Sequence, residues 1–215
     1  DQVVWAQTYD RDLRDVLALQ GEVARAIASE IRIKLTPQEQ ARLSGVPALN
    51  PRAYEAYLKG RHHWNKRTEE ALKKGLEYFQ QAVAEDPRYA QAYAGVADSY
   101  FLLGWTGGMP PRQAMPEAKK AALTALGIDD QLAEAHNSLA GVLQLYDWDW
   151  TAAEREFRRA IELDPANADA RHRYAMNCLA PLGRLEEAAA EMQRAQELDA
   201  LSLVIRTNFA RPLYL

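Results

Sequence analysis

One phrase recurs along this chain. A large side chain is followed by Ala three residues later, by Asp four residues after that, and then by a break. It is written with Phe79, Ala82 and Asp86, with Phe157, Ala160 and Asp164, and with Met192, Ala195 and Asp199, while a weaker copy spans 121–130. Each copy reads as the end of an amphipathic helix followed by a stop. Internal repetition of this kind constrains the fold more than any local propensity does. A chain that repeats one helical unit builds an elongated stack, and such stacks bind more often than they catalyse.

The copies end at Pro87, Asp130, Pro165 and Ala200, at intervals of 43, 35 and 35 residues. A two-helix unit of about 34 residues fits the last two intervals, and a nine-residue insertion accounts for the first. The Gly/Pro cluster at 104–111 is expected to hold the insertion as a lengthened interhelix turn. Proline disfavours a helical conformation at the residue before it, so Asp-Pro at 86–87 and 164–165 reads as a helix stop.

A partner helix precedes each phrase. Tyr93, Val96, Ala97 and Tyr100 recur at three- and four-residue steps and share one face, as do His136, Leu139, Ala140 and Leu143. Arg171, Tyr174, Ala175 and Cys178 repeat the pattern, with Arg171 the poorest fit. The small residue of each set (Ala97, Ala140, Ala175) lets two antiparallel helices approach, and the large residue one turn later fills the space beside the contact. Replacing Tyr100 or Phe157 by Ala is expected to cost about 3–5 kcal/mol.

These residues resemble tetratricopeptide (TPR) repeats. The small–large–Ala–aromatic–Ala–Pro signature runs through units two to four, with Pro replaced by Asp130 and Ala200. The first unit departs more. Gly60 is its candidate small residue, Lys59 then stands where an apolar residue belongs, and 65–68 adds about one turn. The resemblance implies an all-α, right-handed α–α superhelix of about four helix pairs. The units are expected at about 51–89, 90–132, 133–167 and 168–201, with a partial fifth from 202.

Residues 1–50 read differently. Residues 3–9 are rich in β-branched and aromatic side chains and suggest a short strand. Residues 12–35 keep helical spacing through Leu13, Val16, Val23, Ile27, Ile31 and Leu35, and end at Thr36 and Pro37. A lone strand leaves both its edges unpaired, so this strand and long helix are expected to be the remnant of an α/β domain. Val4, Trp5, Tyr9, Asp10, Arg11, Asp12, Leu13, Gln20 and the helix end at 33–37 resemble the C-terminal part of a TolB-like α/β domain. In that family the segment leads into TPR repeats through an Asn-Pro junction, here Asn50-Pro51. The resemblance implies a larger bacterial signalling or transcription-regulatory protein. At the other end, 202–209 reads as the first helix of a fifth unit.

Composition narrows the function. With a net charge of −4 over 215 residues, no global attraction to nucleic acid or an anionic membrane is expected. The apolar runs are far short of the ~20 residues that span a bilayer, no leader is evident, and a cytoplasmic setting is expected. A single cysteine, Cys178, excludes an internal disulfide framework and sits on an apolar helix face. His62 and His63 are adjacent on a helix and point about 100° apart, a poor geometry for one metal ion. His136 and His172 lie on neighbouring first helices and are expected in packing or groove hydrogen bonds. In the aromatic turn at 146–150, Trp148 or Trp150 is expected to wedge between helices while Asp149 or Thr151 caps the next one. The basic run Lys59, Arg61, Lys66, Arg67, Lys73 and Lys74 favours a solvated face or an acidic protein partner over nucleic acid. No cofactor, metal or catalytic site is expected.

In the architecture that the resemblance implies, first helices line the concave side and hold a peptide or a partner helix. The groove candidates are Tyr54, Tyr57, Arg61 and Trp64, then Asp98 and Phe101, then Asn137 and Gln144, and finally His172, Met176 and Leu179. A non-catalytic protein-binding scaffold is the favoured reading. Self-association into a homodimer, through the N-terminal strand and helix and the unfinished last helix, is the alternative.

Overall fold

The structure is a computed structural model that describes residues 50–208. The expected N-terminal strand and long helix lie outside these residues. Every regular element among the described residues is helical. They run α1 (Pro51–Trp64), α2 (Glu69–Glu85), α3 (Ala90–Thr106), α4 (Pro111–Ile128), α5 (Ala133–Leu145), α6 (Trp150–Leu163), α7 (Ala168–Arg173, continuing as a π-helical stretch Tyr174–Leu179), α8 (Leu185–Leu198) and α9 (Leu203–Asn208).

Each helix packs on the next, and each odd-numbered helix also packs on the odd one after it, from α1 through α7. The apolar interior is accordingly a series of clusters. One is built from Trp64, Leu72, Phe79, Val96, Leu103 and Leu139, and another from Phe157, Tyr174, Cys178, Leu179, Met192 and Ile205. Ala97, Ala140 and Ala175 are fully buried at the close approaches. Phe79 fills the junction of α1, α2 and α3. A Cβ on either Gly60 or Gly95 would come within 2.6 Å of its ring. Phe157 is fully buried, whereas Tyr100 is half-buried with its hydroxyl accepting from Gln80 Nε2 at 3.3 Å. The loss expected at Tyr100 is therefore smaller than at Phe157, because less apolar surface leaves water there.

Aspartate, more than proline, punctuates the repeat. Asp86, Asp129, Asp164 and Asp199 each follow a second helix in an extended or near-extended conformation, and each amide donates to the carbonyl of the Ala four residues earlier. Their Oδ1 atoms then accept from Arg88, Gln131, Ala166 and Ser202 amides at 3.0–3.2 Å. This local turn closes one helix and aims the chain into the next. It needs no Pro, which explains why two of the four copies dispense with one. Two of the first helices, α1 and α7, carry side-chain caps. Asn50 accepts from Arg52 N, and Asn167 accepts from Ala170 N.

The insertion is not a long turn. Gly104 and Trp105 belong to α3, and only 107–110 is non-helical, the same four-residue length as the α5–α6 turn at 146–149. Helices α3 and α4 have 17 and 18 residues against 13 and 14 in α5 and α6, so the extra residues extend both helices by about one turn. The aromatic turn follows the expectation in its cap, with Asp149 accepting from Ala152 N at 2.9 Å; of the two indoles Trp150 is half-buried, whereas Trp148 is 72% exposed.

Arg171, the poorest fit to the pattern, has a clear role. Arg171 bonds Glu191 at 2.6 Å and the carbonyl of Pro165 at 3.1 Å. His136, one unit earlier, bonds Glu156 at 2.6 Å and the carbonyl of Asp130 at 3.0 Å. Both side chains tie a first helix to its own second helix and to the turn before it.

Candidate functional site: a groove across the first helices

A groove of about 460 Å³ crosses the odd-numbered helices. Phe101, Leu102 and Trp105 come from α3, Gln144 and Leu145 from α5, Asp169, His172, Arg173, Met176 and Asn177 from α7, and Val204 and Asn208 from α9; Arg67 closes one end from the α1–α2 turn. Trp105 is 56% exposed, an unusual fraction for so large an apolar side chain beside a concavity. Pro181, which also borders the groove, has no amide hydrogen, and the helix before it widens into the π-helical stretch. Such local widening is frequent at functional sites.

The floor is polar and interlocked. Arg173 is 4% exposed, donating to Asp98 at 3.0 Å and ion-paired with Asp169 at 2.9 Å, with its guanidinium over the Phe101 ring. Ser138 donates to the same Asp98 oxygen at 2.7 Å, and Asn137 donates to Asp169 at 3.1 Å. Arg67 lies 3.8 Å from Asp169 and stacks on Trp64 at 3.6 Å, in a left-handed backbone conformation (φ 57°) that such a side chain rarely takes. Burial by itself would raise the Asp169 pKa, but Arg173 and Arg67 outweigh it and hold the carboxyl below its usual range. Burial lowers the His172 pKa, with Asp169 opposing.

Of the eleven groove candidates, Phe101, Gln144, His172 and Met176 border this groove. Tyr57, Arg61 and Asp98 border a narrow crevice against Gln91 and Glu134. Asp98 thereby supports the groove floor from behind. Asn137 is buried and acts through Asp169. Trp64 and Leu179 are buried in packing, and Tyr54 leans on the cluster around Ala53 and Tyr89. The sequence reading did not select Arg173, Asp169 or Trp105. Arg67 it read only as part of a basic run. In that run Lys59, Lys73 and Lys74 are paired with Glu55, Glu69 and Glu77. His63 stacks on Tyr78, and among the described residues no group of His, Cys, Asp or Glu is placed to hold a metal. Cys178 is buried, and burial pushes its thiol up to about 11.

The serial helix pairs and the groove across their first helices define the class: a TPR-type solenoid. A thermophilic TPR protein of Thermus thermophilus superposes with a TM-score of 0.63 at 22% identity, covering 95% of this chain and all of that one. No protein-family model matches the chain. Among curated proteins, one from Rhizobium meliloti (strain 1021) that bears an adenylate cyclase name is 31% identical over 140 residues, 64% of this chain and 24% of its own length. The transcriptional regulator HilA of Salmonella typhimurium is 29% identical over 143 residues, 66% of this chain and 26% of its own. The chain thus spans about a quarter of the length of the curated relatives it matches. No helix among the described residues is long and apolar enough to cross a membrane.

Proposed function

We propose that this chain is a non-catalytic protein-interaction scaffold that holds a peptide segment or partner helix in the groove of its first helices. The observation that carries this reading is the groove wall. Trp105, Met176 and Val204 offer an apolar surface beside fixed polar groups, the combination that anchors peptides. The charged clusters on the second helices are internally paired, as with Glu154, Arg158 and Arg184, and offer no comparable anchor.

In this reading the repeats belong to a larger bacterial signalling or transcription-regulatory protein and work in the cytoplasm. Partial likeness to a regulator and to a protein with a cyclase name supports that setting. So does the resemblance of residues 1–50 to the end of a TolB-like domain. Catalysis would then reside in other parts of such a protein.

Photocrosslinking tests the reading. A benzophenone amino acid is placed at Gln144, in the groove, or at Leu123, exposed on α4. Partner adducts are expected from position 144 alone. Equal adducts from both positions, or adducts from 123 alone, contradict it.

Self-association is a second reading. Leu201 and Leu203 are 89% and 72% exposed around the last described helix. Light scattering of the chain at high concentration decides it, a monomer counting against this reading and a dimer for it.

A further inference from the structure

The groove floor is charge-balanced but not satisfied. Two guanidinium groups, Arg67 and Arg173, face two carboxylates, Asp98 and Asp169. Each carboxylate already touches a cation, and no cation on the floor lacks a carboxylate. Yet Arg173 Nη2 and His172 Nδ1 are buried without any hydrogen-bond partner, and both residues border the groove. Asn208 Nδ2 lies 3.2 Å from His172 Nε2. With Asn208 donating, Nε2 accepts and the ring's proton stands on Nδ1. The floor therefore holds these two unmatched donors, with Asn137 Oδ1 an unmatched acceptor beneath them, and each costs free energy until a partner arrives.

An oxygen acceptor could be a carboxylate or a carbonyl. Electrostatics separates them. A carboxylate would add a third negative charge to a buried site whose two cations are already paired, close to Asp169, and would lose its hydration without gaining a free cation. A carbonyl takes both hydrogen bonds and adds no charge. Acceptors lie at hand for an amide NH2 as well. Gln144 and Asn177 border the groove.

We infer that the groove selects a peptide bearing an uncharged Gln or Asn side chain beside a large apolar residue, the amide seated on Arg173 and His172 and the apolar side chain against Trp105 and Met176. This rests on the peptide-binding reading and specifies its ligand. Selectivity comes from the floor, since a site built to hydrogen-bond a neutral amide leaves its donors unmatched with any apolar isostere.

The test begins with the 215-residue chain and a phage-displayed library of random dodecapeptides joined to coat protein at the C-terminus, so that no free carboxylate is presented. The best-enriched sequence is synthesised with an amidated end, and its affinity is measured by fluorescence anisotropy. The chosen peptide is expected to carry Gln or Asn next to Trp, Phe, Leu or Met. Changing that residue to Glu or to Leu in the peptide is expected to weaken binding at least tenfold. Trp105→Ala in the protein is expected to weaken it similarly. The decisive substitutions are in the peptide, so folding of the protein is not at issue. If binding depends on Trp105 but prefers Asp or Glu, or ignores the amide, the inference is overturned while the peptide-binding reading survives. If no enriched peptide depends on Trp105, both fall.

Discussion

Arg173 Nη1 donates to Asp98 Oδ1 across 3.0 Å, joining α7 to α3 over 75 residues of sequence. The bond skips α5, which lies between them in the chain. It forms because the superhelix curves enough to bring its inner faces together. The middle of the groove floor is thus polar, while the apolar clusters run in series behind it.

Removing Asp98 leaves a buried guanidinium one carboxylate short and leaves Ser138 Oγ only the carbonyl of Glu134 as acceptor. Asp98→Ala is expected to cost about 3–5 kcal/mol, the usual loss when half of a buried ion pair is deleted. The double change Asp98→Leu with Arg173→Met is expected to recover only part of it, since Asp169 is then left with the longer contact to Arg67 alone. Urea denaturation of the wild type, Asp98→Ala and the double variant checks this. A loss under about 1 kcal/mol for the single change would place the pair in the weak, solvent-screened class.

The His136–Glu156 bond makes stability depend on pH. Burial lowers the His136 pKa, but the Glu156 carboxylate and the Asp130 carbonyl outweigh it and leave the pKa raised above 6.5. The bond to His136 holds the Glu156 pKa below 4.5, against burial. A raised His pKa gives stability that is complete below the unfolded value and is lost as pH rises through the folded one. A lowered Glu pKa gives stability that is complete above the unfolded value and is lost as pH falls through the folded one. The pair therefore contributes most between about pH 4.5 and 6.5. Between pH 5.5 and 8.5 the wild type is expected to lose about 1–2 kcal/mol more than Glu156→Gln, the worth of a charge-assisted hydrogen bond. Parallel loss in both proteins, read from urea midpoints at the two pH values, contradicts this.

Gly95 breaks the ordinary rule for helix interiors. An alanine there normally stabilises by about 0.5–1 kcal/mol. Here its Cβ would stand 2.6 Å from the Phe79 ring, so Gly95→Ala is expected to destabilise by about 1–3 kcal/mol. Phe79→Leu in the same chain is expected to reduce the penalty of Gly95→Ala, and thermal melts of the single and double variants read this coupling.

Trp148 sits at φ 58° in the α5–α6 turn and is largely exposed. A left-handed backbone strains any residue but glycine by about 1 kcal/mol. Its ring neighbour among the described residues is Trp150, edge-on at 6.4 Å. Trp148→Gly is expected to leave stability unchanged or raise it by up to about 1 kcal/mol in urea denaturation. A clear loss would mean that the indole contributes packing.

The helix pairs were legible in the sequence because their faces repeat at fixed steps, and each face answers to its own neighbours. Phe79, Phe157 and Met192 show this, each fully buried at the same place in its phrase. Much of the groove floor was not legible. Arg173 looks like an ordinary solvent-facing charge on its own helix, and nothing in the pattern pairs it with the groove candidate Asp98. Their meeting depends on superhelical curvature, which is a sum of small rotations that no local pattern states. The Gly/Pro cluster misled for a related reason: Gly104 is tolerated in α3 because it lies against Ala114 and Met115 of α4. Arg171 and His136 form a repeated clamp that an apolar template hides.

The claim on which the groove depends is that the helix pairs stack in series, each supported by its neighbours. Native-state hydrogen exchange of Phe79→Ala tests it most directly. Loss of amide protection is expected to concentrate in α1, α2 and α3, with α7 and α8 keeping most of theirs, as a one-dimensional stack requires. Equal loss in all of the helices would mean that they share a single core, and would contradict the account.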